Sequence, residues 1–235
     1  MRRMSKGRLF LIPTPLGDYS PAEVLPAPVL EVLPNLRTFV VEEVRSARRF
    51  LSAAGLKGHI AELSFHELNE HTDPSAVRAL GSLFDDGNDV GLLSEAGLPA
   101  VADPGSLLVA LCHQLDIEVV PLVGPSSLMM ALMSSGLDGQ NFSFNGYLPA
   151  KTEERRAALR ALEKKHGTQI FIETPYRNDS MLSDILTVCK PSTRLCLACN
   201  ITLPDAFIRT RTVAQWKKEV PALGKRPCVF LISAQ

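Results

Sequence analysis

Val90-Gly91-Leu92-Leu93-Ser94-Glu95-Ala96-Gly97-Leu98-Pro99-Ala100-Val101-Ala102-Asp103-Pro104-Gly105 opens as a short apolar run and breaks into small residues, glycine and proline. An apolar run of this length, bounded by turn formers, reads as a strand covered on both faces. The small residues behind it let a ligand come close to the backbone. Glu95 and Asp103 can accept hydrogen bonds from hydroxyl or ammonium groups. Asp103 before Pro104 also reads as an N-cap with proline at the first helical position. Taken alone, the stretch is a turn after a buried strand, which any α/β protein can own.

Runs of the same kind recur on both sides of it, at 9–12, 38–41, 118–121, 142–145, 169–172, 194–199 and 228–232. Helical patterns separate them, at 45–54, 74–85, 105–114, 126–134, 152–165, 178–188 and 212–219. Alternation of this kind predicts α/β layers with mainly parallel strands. A strand ending in Pro121 and a Gly124-Pro125 break place a boundary near 115–124. The expected domains are 1–122 and 123–235, two α/β domains with a ligand cleft between them.

The net charge is zero over 235 residues, which argues against strong non-specific binding to nucleic acid. The charge is nevertheless divided. Residues 1–120 carry six more acidic than basic side chains, and residues 121–235 six more basic than acidic. The basic half leaves room for a local anionic partner. Five cysteines with mostly apolar flanks fit a reduced, cytoplasmic protein. No apolar run is long enough to span a membrane, and the run behind the basic N-terminus is too short for a signal peptide.

Open α/β sheets bind ligands at the carboxyl ends of their strands, so four loops stand out. The first is Pro13-Thr14-Pro15-Leu16-Gly17-Asp18 and the second is the opening stretch. The third, Val123-Gly124-Pro125-Ser126-Ser127, starts a helix, where Ser126 can cap the helix or face a ligand. The fourth, Asn145-Gly146-Tyr147-Leu148-Pro149-Ala150-Lys151, leads into a basic helix. There Lys151, Arg155 and Arg156 are candidates for phosphate contacts, or form a solvated face. Dinucleotide, Walker and nucleophile-elbow glycine motifs are absent. Cys196-Leu197-Ala198-Cys199 has no further ligands at zinc spacing and reads as core. His66 and His71 are five residues apart, so they lie on different faces of a helix and do not form a zinc pair. No metal is expected.

Taken in order, these loops resemble one family. The residues that carry the resemblance are Leu-Phe-Leu-Ile-Pro-Thr-Pro-Leu-Gly-Asp (9–18), Glu-Glu-Val-Arg (42–45), Phe-His-Glu-Leu-Asn-Glu (65–70) and Ser-Glu-Ala-Gly-Leu-Pro…Asp-Pro-Gly (94–105). They continue with Val-Gly-Pro-Ser-Ser…Ser-Gly-Leu (123–137), Phe-Ser-Phe-Asn-Gly-Tyr-Leu-Pro-Ala-Lys (142–151) and Glu-Thr-Pro-Tyr-Arg-Asn (173–178). The series is similar to the ribosomal small-subunit RNA methyltransferase I family, within the tetrapyrrole methylase superfamily. The similarity runs from Leu9 to Ile232. It implies two α/β domains with S-adenosylmethionine (SAM) between them, a homodimer, and 2′-O-methylation of a ribose in ribosomal RNA of the small subunit. Alternatives are methylation of a tetrapyrrole or other small acceptor, or SAM binding without turnover.

The resemblance also implies site residues. Pro15 and Leu16 fall near the methionine end of SAM. Ser94, Glu95, Ala96, Gly97 and Leu98 line it, and Ser126 and Ser127 reach it from a helix start. Ile172, Cys199 and Pro227 lie near the adenine. A ribose hydroxyl is weakly acidic, so a base within reach helps. Glu42, His66 and Glu70 are the candidates, with Arg45 and Asn69 orienting substrate. Glu42 also stands where a residue can cap the helix near Arg45, and His66 and Asn69 can serve their own loop. The chain departs from the family pattern at 42–45, at Glu95 and Leu98, and around Asn200-Ile201-Thr202. The family's small helical C-terminal region is expected to be missing after Gln235.

Overall fold

The computed structural model describes residues 6–234, and the chain divides into two compact units, one ending at Ser126 and the other starting at Ser127. In chain order the first contains β1 (Leu9–Ile12), α1 (Pro21–Val24), α2 (Ala27–Val32), β2 (Thr38–Val41), α3 (Val44–Leu51) and β3 (Ser64–Glu67). It continues with α4 (Pro74–Ala79), β4 (Val90–Leu93), α5 (Ser106–Gln114) and β5 (Val119–Pro121). Its sheet has the order β3-β2-β4-β1-β5, and every pair is parallel.

Alternate residues of these strands pack to opposite sides, as a period of two requires. Phe10, Ile12, Phe39, Val41 and Leu93 join one cluster with residues of α2 and α3. Leu9, Val40, Val90 and Leu92 join another with residues of α5. Both faces are therefore covered, which explains the continuous apolar runs. Gly91 lies where two side chains close in. A Cβ there would sit 2.7 Å from Ile12 Cδ1 and 2.8 Å from Phe39 Cδ1. Gly91→Ala is expected to cost about 1–3 kcal/mol through overpacking, read as a lower urea midpoint with an unchanged m-value.

The strands of the first sheet end level with one another. Leu93 is opposite both Ile12 and Val41, and Val41 is opposite Glu67. Loops 13–18, 42–43, 68–73 and 94–105 therefore leave from one edge.

The second unit contains α6 (Ser127–Ser135), β6 (Phe142–Tyr147), α7 (Thr152–Glu163), β7 (Thr168–Ile172), α8 (Asn178–Val188), β8 (Arg194–Cys199), β9 (Phe207–Thr212), α9 (Val213–Trp216) and β10 (Cys228–Ser233). Its sheet has the order β6-β7-β10-β8-β9. Here the expectation of mainly parallel strands fails. Only β6 and β7 are parallel, and β7/β10, β10/β8 and β8/β9 are antiparallel. The reason lies in the connections. Residues 200–206 join β8 to β9 and are too few for a parallel crossover. β3 and β9 are absent from the expected strands. Both are edge strands in which hydroxyl and charged side chains interrupt the apolar residues, so neither shows an apolar run.

Candidate active site

The edge of the first sheet begins with a zipper between two loops. Thr14 N donates to Gly97 O at 2.9 Å, and Gly97 N donates to Thr14 O at 3.0 Å. Thr14 Oγ1 donates to Ser94 O at 3.3 Å. Gly97 adopts φ +79°, and a Cβ on it would come within 3.1 Å of Leu16. A Cβ on Gly124 would fall 2.1 Å from Pro13 Cβ. Loops 13–18, 94–105 and 123–125 therefore meet closely within this unit, and only glycine fits at these two points. A cavity of about 620 Å³ opens beside them, lined by Thr14, Pro15, Tyr19, Ser46, Ser94 and Glu95, among others.

Ser94 is buried, and its Oγ has no hydrogen-bond partner among the described residues. A buried hydroxyl without a partner is costly unless a ligand supplies one. Backbone strain marks the same loop, because Ala100 and Ala102 have φ of 64° and 57°. Asp103 holds it closed, its Oδ1 accepting from Gly105 N at 2.6 Å and Ala100 N at 3.2 Å. The N-cap reading of Asp103 is corrected, since α5 starts at Ser106 with Gly105 as its N-cap. Burial pushes the Asp103 carboxyl up, against the pull of those two amides.

The residue that caps α3 is Glu43, not Glu42. Its carboxylate accepts from Arg45 N and Ser46 N, both at 2.7 Å, and these bonds hold its pKa down. Ser46 Oγ also lies 2.6 Å from Glu95 Oε1, which ties the start of α3 to the Ser94 loop. Glu42 is left half-buried, with no hydrogen bond among the described residues. Burial raises its pKa first, and the nearby carboxylates Asp103, Glu95 and Glu70 raise it further. The sequence does not show this acidic cluster as a cluster, because its members come from three separate loops.

The other catalytic candidates divide. Glu70 belongs to the group around Glu42 and is exposed, with His71 at 3.5 Å. Asn69 serves its own loop, Oδ1 accepting from His71 N at 3.0 Å. His66 is a half-buried residue inside β3, opposite Val40, and does not share the Glu42 group. Arg45 is exposed in the first turn of α3.

In the second unit Ile172, Cys199 and Pro227 come together at one end of the sheet. Cys199 is opposite Cys228, Ile172 is opposite Val229, and Asn200 N donates to Pro227 O at 2.9 Å. Two buried acceptors beside them, Glu173 Oε2 and Asn200 Oδ1, have no donor among the described residues. All five cysteines are free and buried, and no cluster of metal-ligating side chains exists among the described residues.

Within the first unit, the acidic group suits the sulfonium and ammonium charges of SAM, and the bare Ser94 hydroxyl and Gly97 leave room for polar contact. Within the second, the unpaired acceptors Glu173 Oε2 and Asn200 Oδ1 can take a hydrogen bond from an amino group. Gly97→Ala is expected to strain the backbone by about 1 kcal/mol and to weaken SAM binding, read by calorimetric titration.

The basic helix is corrected. Arg155 is buried, its Nε donating to Asp184 Oδ2 at 2.7 Å and its Nη1 to Ala150 O at 2.8 Å. Arg156 donates to Asp184 Oδ1 at 2.7 Å and pairs with Glu153. Both arginines are held by the one buried carboxylate of Asp184; Arg155 is enclosed there and not offered to a phosphate, while Arg156 is partly exposed. Lys151 is exposed at the start of the helix and pairs with Glu154. Nothing in the spacing of α7 signals Asp184, which is brought in by α8.

The model of the family described as Tetrapyrrole (Corrin/Porphyrin) Methylases matches residues 25–216. The chain is 33% identical over 231 residues to the Ribosomal RNA small subunit methyltransferase I of Escherichia coli O157:H7, covering 97% of this chain and 78% of the relative. It is 36% identical to the protein of that name from Micromonospora olivasterospora, over 87% of this chain and 63% of the relative. Among solved structures, the methyltransferase CobJ superposes with a TM-score of 0.65 at 17% identity, covering 97% of this chain and 94% of that one. The uroporphyrin-III C-methyltransferase of Thermus thermophilus, complexed with S-adenyl homocysteine, superposes with a TM-score of 0.57 at 17% identity, covering 97% of each chain. The structural likenesses speak to the fold. With relatives a third identical along nearly its whole length, the chain belongs to the tetrapyrrole (corrin/porphyrin) methylase family, the SAM-dependent methyltransferases to which its ordered loops point.

Proposed function

We propose that this protein transfers a methyl group from SAM to a ribose 2′-hydroxyl in the RNA of the small ribosomal subunit, acting as a cytoplasmic homodimer. The observation that carries the reading is the similarity to proteins named Ribosomal RNA small subunit methyltransferase I over 97% of the chain. No helix among the described residues is long and apolar enough to cross a membrane. In this reading Pro15, Leu16, residues 94–98 and Ser126 of the first unit hold SAM, as do Ser127, Ile172, Cys199 and Pro227 of the second. When bound, SAM supplies an electrophilic methyl group on a positively charged sulfonium.

The side chains have separate tasks. Glu42 accepts the proton of the attacking hydroxyl. Its raised pKa makes it a better base than an ordinary carboxylate. Glu43 and Ser46 fix the start of α3, and Asp103 fixes the loop across from it, so Glu42 is held with little freedom. Arg45 and Glu70 line the approach.

The test is to supply purified protein with labelled SAM and under-methylated small subunits, with an active relative run alongside. Label in the RNA is expected, at a ribose 2′-oxygen. Unlabelled RNA beside a labelled control would overturn the RNA reading, and methylated product from a tetrapyrrole screen would replace it.

A further inference from the structure

Arg155 and Arg156 of α7 are committed to Asp184, and the second unit carries other cations that can meet an anion. Three lie together without an ion pair among the described residues: Arg209, Lys225 and Arg226. They come from an edge strand and from the turn before β10, and two aromatic rings join them. Arg209 lies 5.7 Å and Arg226 6.0 Å from the centroid of Phe207, while Lys225 Nζ lies 5.0 Å from the centroid of Tyr176. Phe207 and Arg209 are two apart on β9 and so share a face. Arg226 is anchored from below, donating to Leu223 O at 2.9 Å and to Ala222 O at 2.8 Å.

Both guanidinium groups lie against the Phe207 ring, so an anion held by both would offset their mutual repulsion. Glu219, whose charge also reaches Arg209, is paired with Arg211 at 2.8 Å. At the other end of the belt Tyr176 is 79% exposed, so most of its ring is in water. A large exposed ring beside unpaired cations combines a stacking platform with a phosphate site, the pairing that single-stranded nucleic acid requires.

We propose that the belt Tyr176–Lys225–Arg226–Phe207–Arg209 binds single-stranded RNA, with a base stacked on Tyr176 and a phosphate between Arg209 and Arg226. The inference rests on the RNA reading above and adds to it the surface that holds the strand. An acidic protein would use the cations but has no need of the ring.

The test is fluorescence anisotropy with a short labelled single-stranded RNA and the full chain, across a series of salt concentrations. Tyr176→Ala is expected to weaken binding about tenfold, and Tyr176→Phe to leave it near wild type. Arg209→Ala and Lys225→Ala are each expected to flatten the slope of log K against log salt by about 0.7. SAM titration is expected to be the same in all four variants. Unchanged RNA affinity in Tyr176→Ala and Arg209→Ala would overturn the proposal. Loss of SAM binding in the same variants would also overturn it, by assigning the belt to the cofactor. Poly-glutamate competing equally well against wild type and Tyr176→Ala would reduce the belt to a general anion surface and overturn it as well. If wild type labels ribosomal RNA and the belt variants label it equally, this inference fails alone. If RNA binds through the belt but no RNA is labelled, the proposed function fails alone.

Discussion

Glu42→Gln is expected to lower the methyl-transfer rate by about 10²–10⁴-fold while SAM affinity stays close to wild type. Gln keeps the size of the side chain and removes its ability to take a proton. The pH profile makes the test specific. Burial and the neighbouring carboxylates raise the Glu42 pKa, so in wild type kcat/KM should climb as pH rises through that raised value. In Glu42→Gln that limb should disappear. The same shift has a consequence for stability, and its sign is fixed. A carboxyl whose folded pKa lies above its unfolded pKa favours the folded state when protonated and disfavours it when ionised. The penalty is absent below the unfolded pKa and complete above the folded one. Glu42→Gln should therefore melt above wild type near pH 8, and the gap should close as the pH falls toward the unfolded carboxylate range. A slower yet more stable variant is what a strained active-site acid gives. Glu43→Gln is the contrast. It weakens the α3 cap, lowers the melting temperature modestly, and leaves the pH profile in place. Full activity in Glu42→Gln would remove Glu42 as the base.

How much of this was legible depends on whether the deciding contact is local. The buried parallel strands β1, β2 and β4 were readable because both faces are covered and the apolar run needs no partner to be seen. The edge strands β3 and β9 were not, since polar side chains interrupt their apolar residues. Loop 94–105 was legible as a turn after a buried strand, from its small residues, glycines and prolines. The caps were harder, because Glu42 and Glu43 are equally good acids and only the backbone decides which one meets the amides of Arg45 and Ser46. The raised pKa of Glu42 depends first on burial and then on Asp103, Glu95 and Glu70, distant in sequence and joined by the level ends of β2, β3 and β4. The arginines of α7 were misread for the same reason. A basic helix shows its charge in the sequence, but its counter-charge sits on another helix.

That counter-charge sets the second large effect. Asp184→Ala is expected to destabilise the protein by about 3–5 kcal/mol. The side chains of Arg155 and Asp184 are only 3% and 4% exposed, and Arg156 shares the same carboxylate. Removing Asp184 leaves the Arg155 guanidinium buried with only Ala150 O and Ser180 Oγ as acceptors, neither of them charged. The loss is mainly the cost of that orphaned charge rather than the worth of the pair, and a second substitution separates the two. Arg155→Met with Asp184→Leu replaces both charges with apolar side chains and should recover most of the lost stability. Arg155→Met alone should fall between, because Arg156 still offers Asp184 one partner at 2.7 Å. Added salt should rescue none of these variants, since a buried pair is poorly screened. Chemical unfolding of the four proteins measures all of this. The same proteins decide whether α7 contacts RNA. If Arg155 serves the fold alone, the double variant keeps wild-type RNA affinity with its full salt slope. If Asp184→Ala unfolds at the wild-type midpoint, the pair is not holding α7 to α8, and Arg155 returns as a candidate for substrate.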